Sequence, residues 1–264
     1  MGAAKIIAVA NYKGGVGKTT TAVNIAYDMA AEGKNVLLVD ADPQGNASYM
    51  LWKYSPTAIT LKDVLIDGAK ETRAVRRSRF KNLDIIPSTT ALEDVNKNED
   101  IKDGYTWMMK AALSNATGNK DYDYIIIDCQ PTMQFLTKSA LCAADMLIVP
   151  FKADGFSING LELMQEFIDE AKSQSKKELK AGCLVTMFRH TNKNLARILN
   201  LLNTNSYKVF DTVIRYSEAC NTSIDARKPL LAHRRKDKAA LDYIDLKNEL
   251  IAEMEGGNIN GESI

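Results

Sequence analysis

Residues 11–20, Asn-Tyr-Lys-Gly-Gly-Val-Gly-Lys-Thr-Thr, put three glycines, two lysines and two threonines into one short run. That mixture suits the binding of phosphate. Glycines let backbone N–H groups converge on an anion, and a helix that starts just after them adds its partial positive charge. Lys18 is placed to reach β- and γ-phosphates, and the Thr19 hydroxyl to ligate Mg²⁺. The strict pattern G-x-x-x-x-G-K-[ST] fails, because Tyr12 stands where its first glycine belongs. The run carries instead a second lysine, Lys13, ahead of Gly14-Gly15-Val16-Gly17. A lysine there lies beside the nucleotide but cannot easily duplicate the work of Lys18.

Carboxylates supply the second half of the chemistry. Val36-Leu37-Leu38-Val39 runs into Asp40-Ala41-Asp42-Pro43-Gln44-Gly45-Asn46, and Tyr124-Ile125-Ile126-Ile127 into Asp128-Cys129-Gln130-Pro131. Uninterrupted apolar runs of this length suit parallel strands buried on both faces. Acids at the C-terminal ends of such strands open onto the crevice where ligands bind. An Asp at a strand end is often only a turn former; here two of them stand in register with a phosphate loop.

The elements that must position these residues follow from the same patterns. Ile6-Ile7-Ala8-Val9-Ala10 is a strand leading into the loop, and Thr20 to Glu32 a helix leading out of it. Further strands are predicted near 35–40, 83–87, 124–128, 146–150 and 181–188, alternating with helix-like stretches. That alternation predicts an α/β fold, a doubly wound, mostly parallel sheet with helices on both faces. Leu161, Met164, Phe167, Ile168 and Ala171 have helical spacing, as do Leu195, Ile198, Leu199 and Leu202, and both stripes are expected in the core. Residues 1–254 read as one domain with a large core, and 255–264 as a flexible Gly/Asn/Glu-rich tail.

Lys-Gly-Gly-Val-Gly-Lys-Thr-Thr resembles the deviant Walker A motif of the ParA/MinD family of P-loop ATPases. The family's Asp-x-Asp-Pro-Gln-Gly-Asn is matched in full from Asp40 to Asn46; its common Asp-x-Pro-Pro is met at Asp128 but broken by Gln130. Met146-Leu147-Ile148-Val149-Pro150 with Ser157-Ile158-Asn159-Gly160-Leu161, and Leu184-Val185-Thr186-Met187-Phe188, look like later family elements. The likeness is weakest over 52–122. The resemblance implies ATP and Mg²⁺ as cofactors, with residues Lys13, Gly14, Gly15, Val16, Gly17, Lys18, Thr19 and Thr20 around the nucleotide. It implies Thr19, Asp40 and Asp128 on the metal side, Asp42 orienting the attacking water, and Lys13 reaching the partner's nucleotide across an ATP-sandwich homodimer. Lys13, Lys18 and Asp42 would then be the catalytic set.

Charge narrows the partners. The chain carries 34 Lys/Arg against 33 Asp/Glu, a net +1, so nothing drives it as a whole toward nucleic acid. Between Arg189 and Lys238, however, eleven Lys/Arg face four acids, a local +7. The family's DNA-binding members carry a basic surface in this third, and Arg189, Arg215, Arg227, Lys228, Arg234 and Arg235 are the candidates here. Such a stretch can hold phosphates without reading bases. Arg215 has a second reading, as a residue flanking the adenine. A second basic cluster, Arg73, Arg76, Arg77, Arg79 and Lys81, reads as a solvated face. No helix-turn-helix precedes the phosphate loop, which argues against operator binding. The helix-like run Ala239 to Met254 carries Asp242, Asp245, Glu249 and Glu253, so an anionic membrane would repel it. The four cysteines, 129, 142, 183 and 220, form no C-x-x-C and suggest neither zinc nor disulfides. With no signal peptide or long apolar run, the expected setting is cytoplasmic and nucleoid-associated. The expected function is partition of a plasmid or chromosome with a centromere-binding partner of the ParB type. Alternatives are a positioning ATPase for a protein cargo, a MinD-like protein, and a nucleotide-gated binding module, against which Asp42 argues.

Overall fold

The computed structural model describes residues 4–99, 104–116, 120–152, 158–191 and 208–256. β1 (Lys5–Val9) enters the glycine loop and α1 (Lys18–Ala31) leaves it; β2 (Val36–Ala41) leads through a short loop into α2 (Asn46–Leu51). α3 (Leu61–Leu65) and α4 (Glu71–Ala74) precede β3 (Arg76–Arg77) and β4 (Leu83–Ile86), and α5 (Glu93–Lys97) and α6 (Tyr105–Ala116) follow. β5 (Tyr124–Cys129), α7 (Phe135–Ala143), β6 (Met146–Lys152), α8 (Ile158–Ser175) and β7 (Lys180–Thr186) complete the alternating part. β8 (Lys208–Val209), α9 (Ala219–Asp225), α10 (Leu230–His233) and α11 (Lys238–Met254) close the chain.

Eight strands form one sheet in the order β3-β4-β2-β5-β1-β6-β7-β8. Every pairing is parallel except β3 with β4. The six expected strands are present within a residue or two. The two edge strands are new: at two residues each they are too short for a side-chain period to show in sequence.

Strand alternation sorts the core into two layers, because successive side chains point to opposite faces. Ala8, Leu37, Val39, Ile125, Ile127 and Val149 pack on the face covered by α3 and by α5 to α8. Ile7, Val9, Leu38, Ile85, Ile126 and Ile148 pack on the face covered by α1, α2 and the C-terminal helices. The doubly wound architecture therefore stands as expected. On α8, Met164, Ile168 and Ala171 are buried and Phe167 packs against them. The Leu195–Leu202 stripe, Lys193, Arg197 and Ser157 lie outside the described residues, as do 257–264.

α11 lies along α1. The Tyr243 and Thr21 hydroxyls are 3.2 Å apart, and Lys247, almost wholly buried, pairs with Glu32. Beside them Asp28 is buried with neither carboxylate oxygen hydrogen-bonded. Burial raises its pKa to about 8; Glu32 adds to the rise and the Lys247 ammonium opposes it. A carboxyl raised on folding stabilises fully below its unfolded pKa near 4, and that stability is lost as pH climbs toward 8. Asp28→Asn removes the titration. It is expected to stabilise the fold at pH 7 by about 1–4 kcal/mol, with the gap closing near pH 4 in thermal melts across that window.

Candidate phosphate-binding site

The glycine loop is held from behind by two side chains. Asn11 donates Nδ2 to the Pro150 carbonyl at 2.7 Å and accepts the Lys13 N–H on Oδ1 at 2.9 Å. The Thr186 hydroxyl, at the end of β7, lies 2.8 Å from the Val16 carbonyl and 3.0 Å from that of Phe151. Gly15 (φ 68°) and Gly17 (φ 93°) take left-handed backbone, which glycine adopts without strain. Gly17 caps α1, and no side chain caps that helix's first turn. Its leading N–H groups are thereby left for an anion, at the positive end of the helix dipole.

Register brings the carboxylates together. Asp40 on β2 and Asp128 on β5 are paired across the two strands, and Asp128 is paired to Val9 on β1, the strand that feeds the loop. Both are 0% exposed. Asp40 Oδ2 accepts the backbone N–H and the hydroxyl of Ser48, each at 2.7 Å, and Oδ1 accepts the Asp42 N–H at 3.2 Å. Burial lifts the Asp40 pKa to about 6 while the Ser48 bonds oppose the rise. Neither oxygen of Asp128 has a hydrogen bond of good geometry. Burial, then the facing Asp40 and Asp42, push its carboxyl well above the usual range, and the Thr19 hydroxyl and Lys18 pull it back.

Asp40 is held by three donors, whereas the buried Asp128 carboxylate has none of good geometry. With the Thr19 hydroxyl the two acids make an all-oxygen set that fits a hard divalent ion such as Mg²⁺. Lys18, 7% exposed, donates Nζ to the Lys13 carbonyl at 3.1 Å. Burial lowers its pKa and Asp128 and Asp42 raise it. An ammonium so placed is partly stripped of water and aimed at whatever anion enters the loop.

One pocket runs from this cluster toward the C-terminal helices. Gly14, Gly15, Gly17, Lys18, Thr19 and Thr20 line its near end together with Asp42. Val16 is buried in the core instead, and Lys13 is not on the wall. Asp42 is fixed by a bond from the Gln44 N–H to Oδ1 at 2.9 Å. The far wall, unread in the sequence apart from Arg215, comprises Met187, Ile214, Tyr216, Asn221, Ile224 and Tyr243 among others.

The basic candidates fall into separate settings. Arg215 sits on the pocket wall, and its Nε and Nη2 engage both oxygens of Asp242 at 2.6–3.0 Å. Arg189 stacks on the Tyr216 ring at 3.7 Å. Arg227 donates to two carbonyls around α2. Lys228, Arg234 and Arg235 are exposed, the last two adjacent on one surface. Gln130, where the family pattern has proline, is 2% exposed and accepts the Asn96 Nδ2 at 3.3 Å, which ties the second acidic loop to α5. Cys129, Cys142 and Cys183 are buried, and burial raises each thiol pKa, which keeps them as inert packing. Among the described residues no helix is long and apolar enough to cross a membrane.

Comparison with known proteins agrees with this geometry. A family model described as an AAA domain matches residues 4–181. The chromosome partitioning protein ParA of Caulobacter vibrioides (strain NA1000 / CB15N) is 32% identical over 251 residues, 94% of each chain. The sporulation initiation inhibitor protein Soj of Bacillus subtilis (strain 168) is 34% identical over 251 residues, 94% of this chain and 98% of that one. Cobyrinic acid a,c-diamide synthase from Mycobacterium smegmatis, solved with bound ATP analogue and magnesium, superposes with a TM-score of 0.85 at 26% identity over 97% of each chain. A glycine loop with two lysines, two acids in register across the central strands, and relatives of this similarity along nearly the whole length place the chain in the ParA/MinD family of deviant Walker A P-loop ATPases, to which it belongs.

Proposed function

We propose that this chain hydrolyses ATP with Mg²⁺ and works as a partition ATPase. Its ATP-bound homodimer holds duplex DNA without reading sequence, and a ParB-type partner stimulates hydrolysis and release. The observation that carries the catalytic part is the buried Asp40–Asp128 pair set beside Lys18 and Thr19 at an uncapped helix start. Mg²⁺, when bound, would supply neutralisation of phosphate charge. The chain's own residues do the rest. Backbone N–H groups of residues 14–20 orient the phosphates, Lys18 neutralises the β- and γ-oxygens, and Thr19, Asp40 and Asp128 hold the ion. Asp42 orients the attacking water. Phosphoryl transfer asks for positioning and charge more than for covalent help.

The DNA half rests on the local +7 and on exposed Lys228, Arg234 and Arg235. Affinity for duplex DNA is expected to require ATP and to ignore sequence. It should fall with salt at a slope of about −0.9 per phosphate neutralised. Replacing Arg234 and Arg235 by Ala should weaken binding to every duplex alike and flatten that slope by about one unit per lost contact. ATP binding should survive, since neither residue lines the nucleotide pocket. Arg215→Ala separates the two readings of that residue. Weaker DNA binding at unchanged nucleotide affinity keeps it in the DNA set, and the reverse assigns it to the base end of the pocket. A filter-binding series in ADP and in ATP is the test, and equal DNA affinity in the two would defeat the switch.

A further inference from the structure

α2 is anchored at both ends. In its first turn Ser48 grips Asp40 Oδ2 with two donors, and Ser48 Oγ accepts the Ser88 N–H at 2.9 Å. At its other end Arg227, 178 residues along the chain from Tyr49, donates Nε to the Tyr49 carbonyl at 2.6 Å. It also donates Nη2 to the Trp52 carbonyl at 2.7 Å and lies 4.4 Å over the Tyr49 ring. The last carbonyls of a helix lack partners within it, and a cation there also complements the dipole. Arg227 makes this reach from a backbone that favours glycine. α9 closes with the Arg227 N–H on the Ile224 carbonyl and the Lys228 N–H on that of Ser223, which puts Arg227 at φ 53°. The chain keeps a long side chain at a position where glycine would fit with less strain.

We propose that Arg227 is a positioning residue for the phosphate site and not a DNA contact. By capping α2 it fixes the short helix on whose first turn Ser48 orients the Asp40 carboxylate. The inference rests on the reading of Asp40 as a carboxylate serving the nucleotide's metal. It follows that the guanidinium fork matters more than the charge. A phosphate-backbone contact tolerates lysine, which is a point charge, whereas two carbonyls at fixed separation call for arginine's paired donors.

Two variants separate the roles. Arg227→Gly suits the backbone and removes the side chain; Arg227→Lys keeps the charge and loses the fork. Hydrogen exchange of residues 46–52 in the nucleotide-free chain is expected to speed up about tenfold in both, the loss that goes with a charge-assisted hydrogen bond. The Mg²⁺ concentration for half-maximal hydrolysis should rise in both, and the salt slope of DNA binding should stay as in the wild type for Arg227→Lys. Exchange unchanged in both variants overturns the proposal. So does an Arg227→Lys chain that matches the wild type in exchange and Mg²⁺ dependence while Arg227→Gly loses one unit of salt slope, because that pattern belongs to a DNA ligand. A wild-type chain without hydrolysis would count against the proposed ATPase, and the exchange result would still decide what Arg227 does.

Discussion

Asp42→Ala is expected to keep ATP bound and to stall there, with hydrolysis lowered on the order of 10²–10⁴-fold, the usual range for losing a positioned acid or base. Three features isolate this residue. Asp42 lines the pocket, unlike Asp40 and Asp128, which are wholly buried beneath it. Its Oδ1 is already oriented by the Gln44 N–H. Its other contacts, its own N–H to Asp40 and its carbonyl to the Gly45 N–H, come from the backbone and survive truncation to alanine. The variant therefore removes a carboxylate and leaves the loop. Lys18→Ala differs in kind. It takes away the cation that partly offsets the raised pKa of Asp128, so it should lose productive ATP binding as well as turnover. Nucleotide binding and phosphate release, measured side by side on both variants, check the pair. Wild-type turnover in Asp42→Ala would move the water-orienting role to another residue.

What the sequence made legible were residues placed by strand and loop patterning. Asp40 and Asp128 each stand at the end of an apolar run, so strand patterning delivers them to the C-terminal ends of neighbouring central strands, and the glycine loop after β1 delivers Lys18 and Thr19 to the start of α1 beside them. The supports were not legible because their partners are remote. Thr186 meets Val16 across 170 positions, and Arg227 meets Tyr49 across 178. Ser48 lies only 8 positions from Asp40, but nothing in an Asn-Ala-Ser-Tyr run distinguishes an N-terminal-turn serine that holds an acid from one that faces water. Charge counting found the +7 segment and could not sort it. Arg215 is taken up by Asp242 and Arg189 by the Tyr216 ring, while Arg234 and Arg235 stay exposed. The break in the family pattern at Gln130 was visible as a departure, but its consequence, a hydrogen bond to Asn96 on α5, needed the fold.

Gly14→Val is expected to leave a folded chain that binds ATP and does not pair. The three loop glycines differ in a way that makes this variant clean. Gly15 and Gly17 have left-handed backbone, so a side chain at either would strain the loop itself. Gly14 does not, it is exposed, and a Cβ built on it meets nothing within 4 Å. Within one chain a valine there costs little, so any large effect must come from what approaches the loop from outside. A second subunit laid over the nucleotide is the expected neighbour. Lys13 fits the same picture: its side chain is off the wall of its own pocket, while its carbonyl holds Lys18 and would persist in Lys13→Ala. That substitution should therefore spare ATP binding and cost hydrolysis roughly 10³–10⁵-fold, the scale of a cation supplied in trans. Light scattering with ATP and Mg²⁺ in the Asp42→Ala background, where turnover is blocked, reads the assembly directly. Dimers of the Gly14→Val, Asp42→Ala chain under those conditions would rule out a sandwich closed at this glycine. Hydrolysis at the wild-type rate in Lys13→Ala would leave the second lysine without a role in the chemistry.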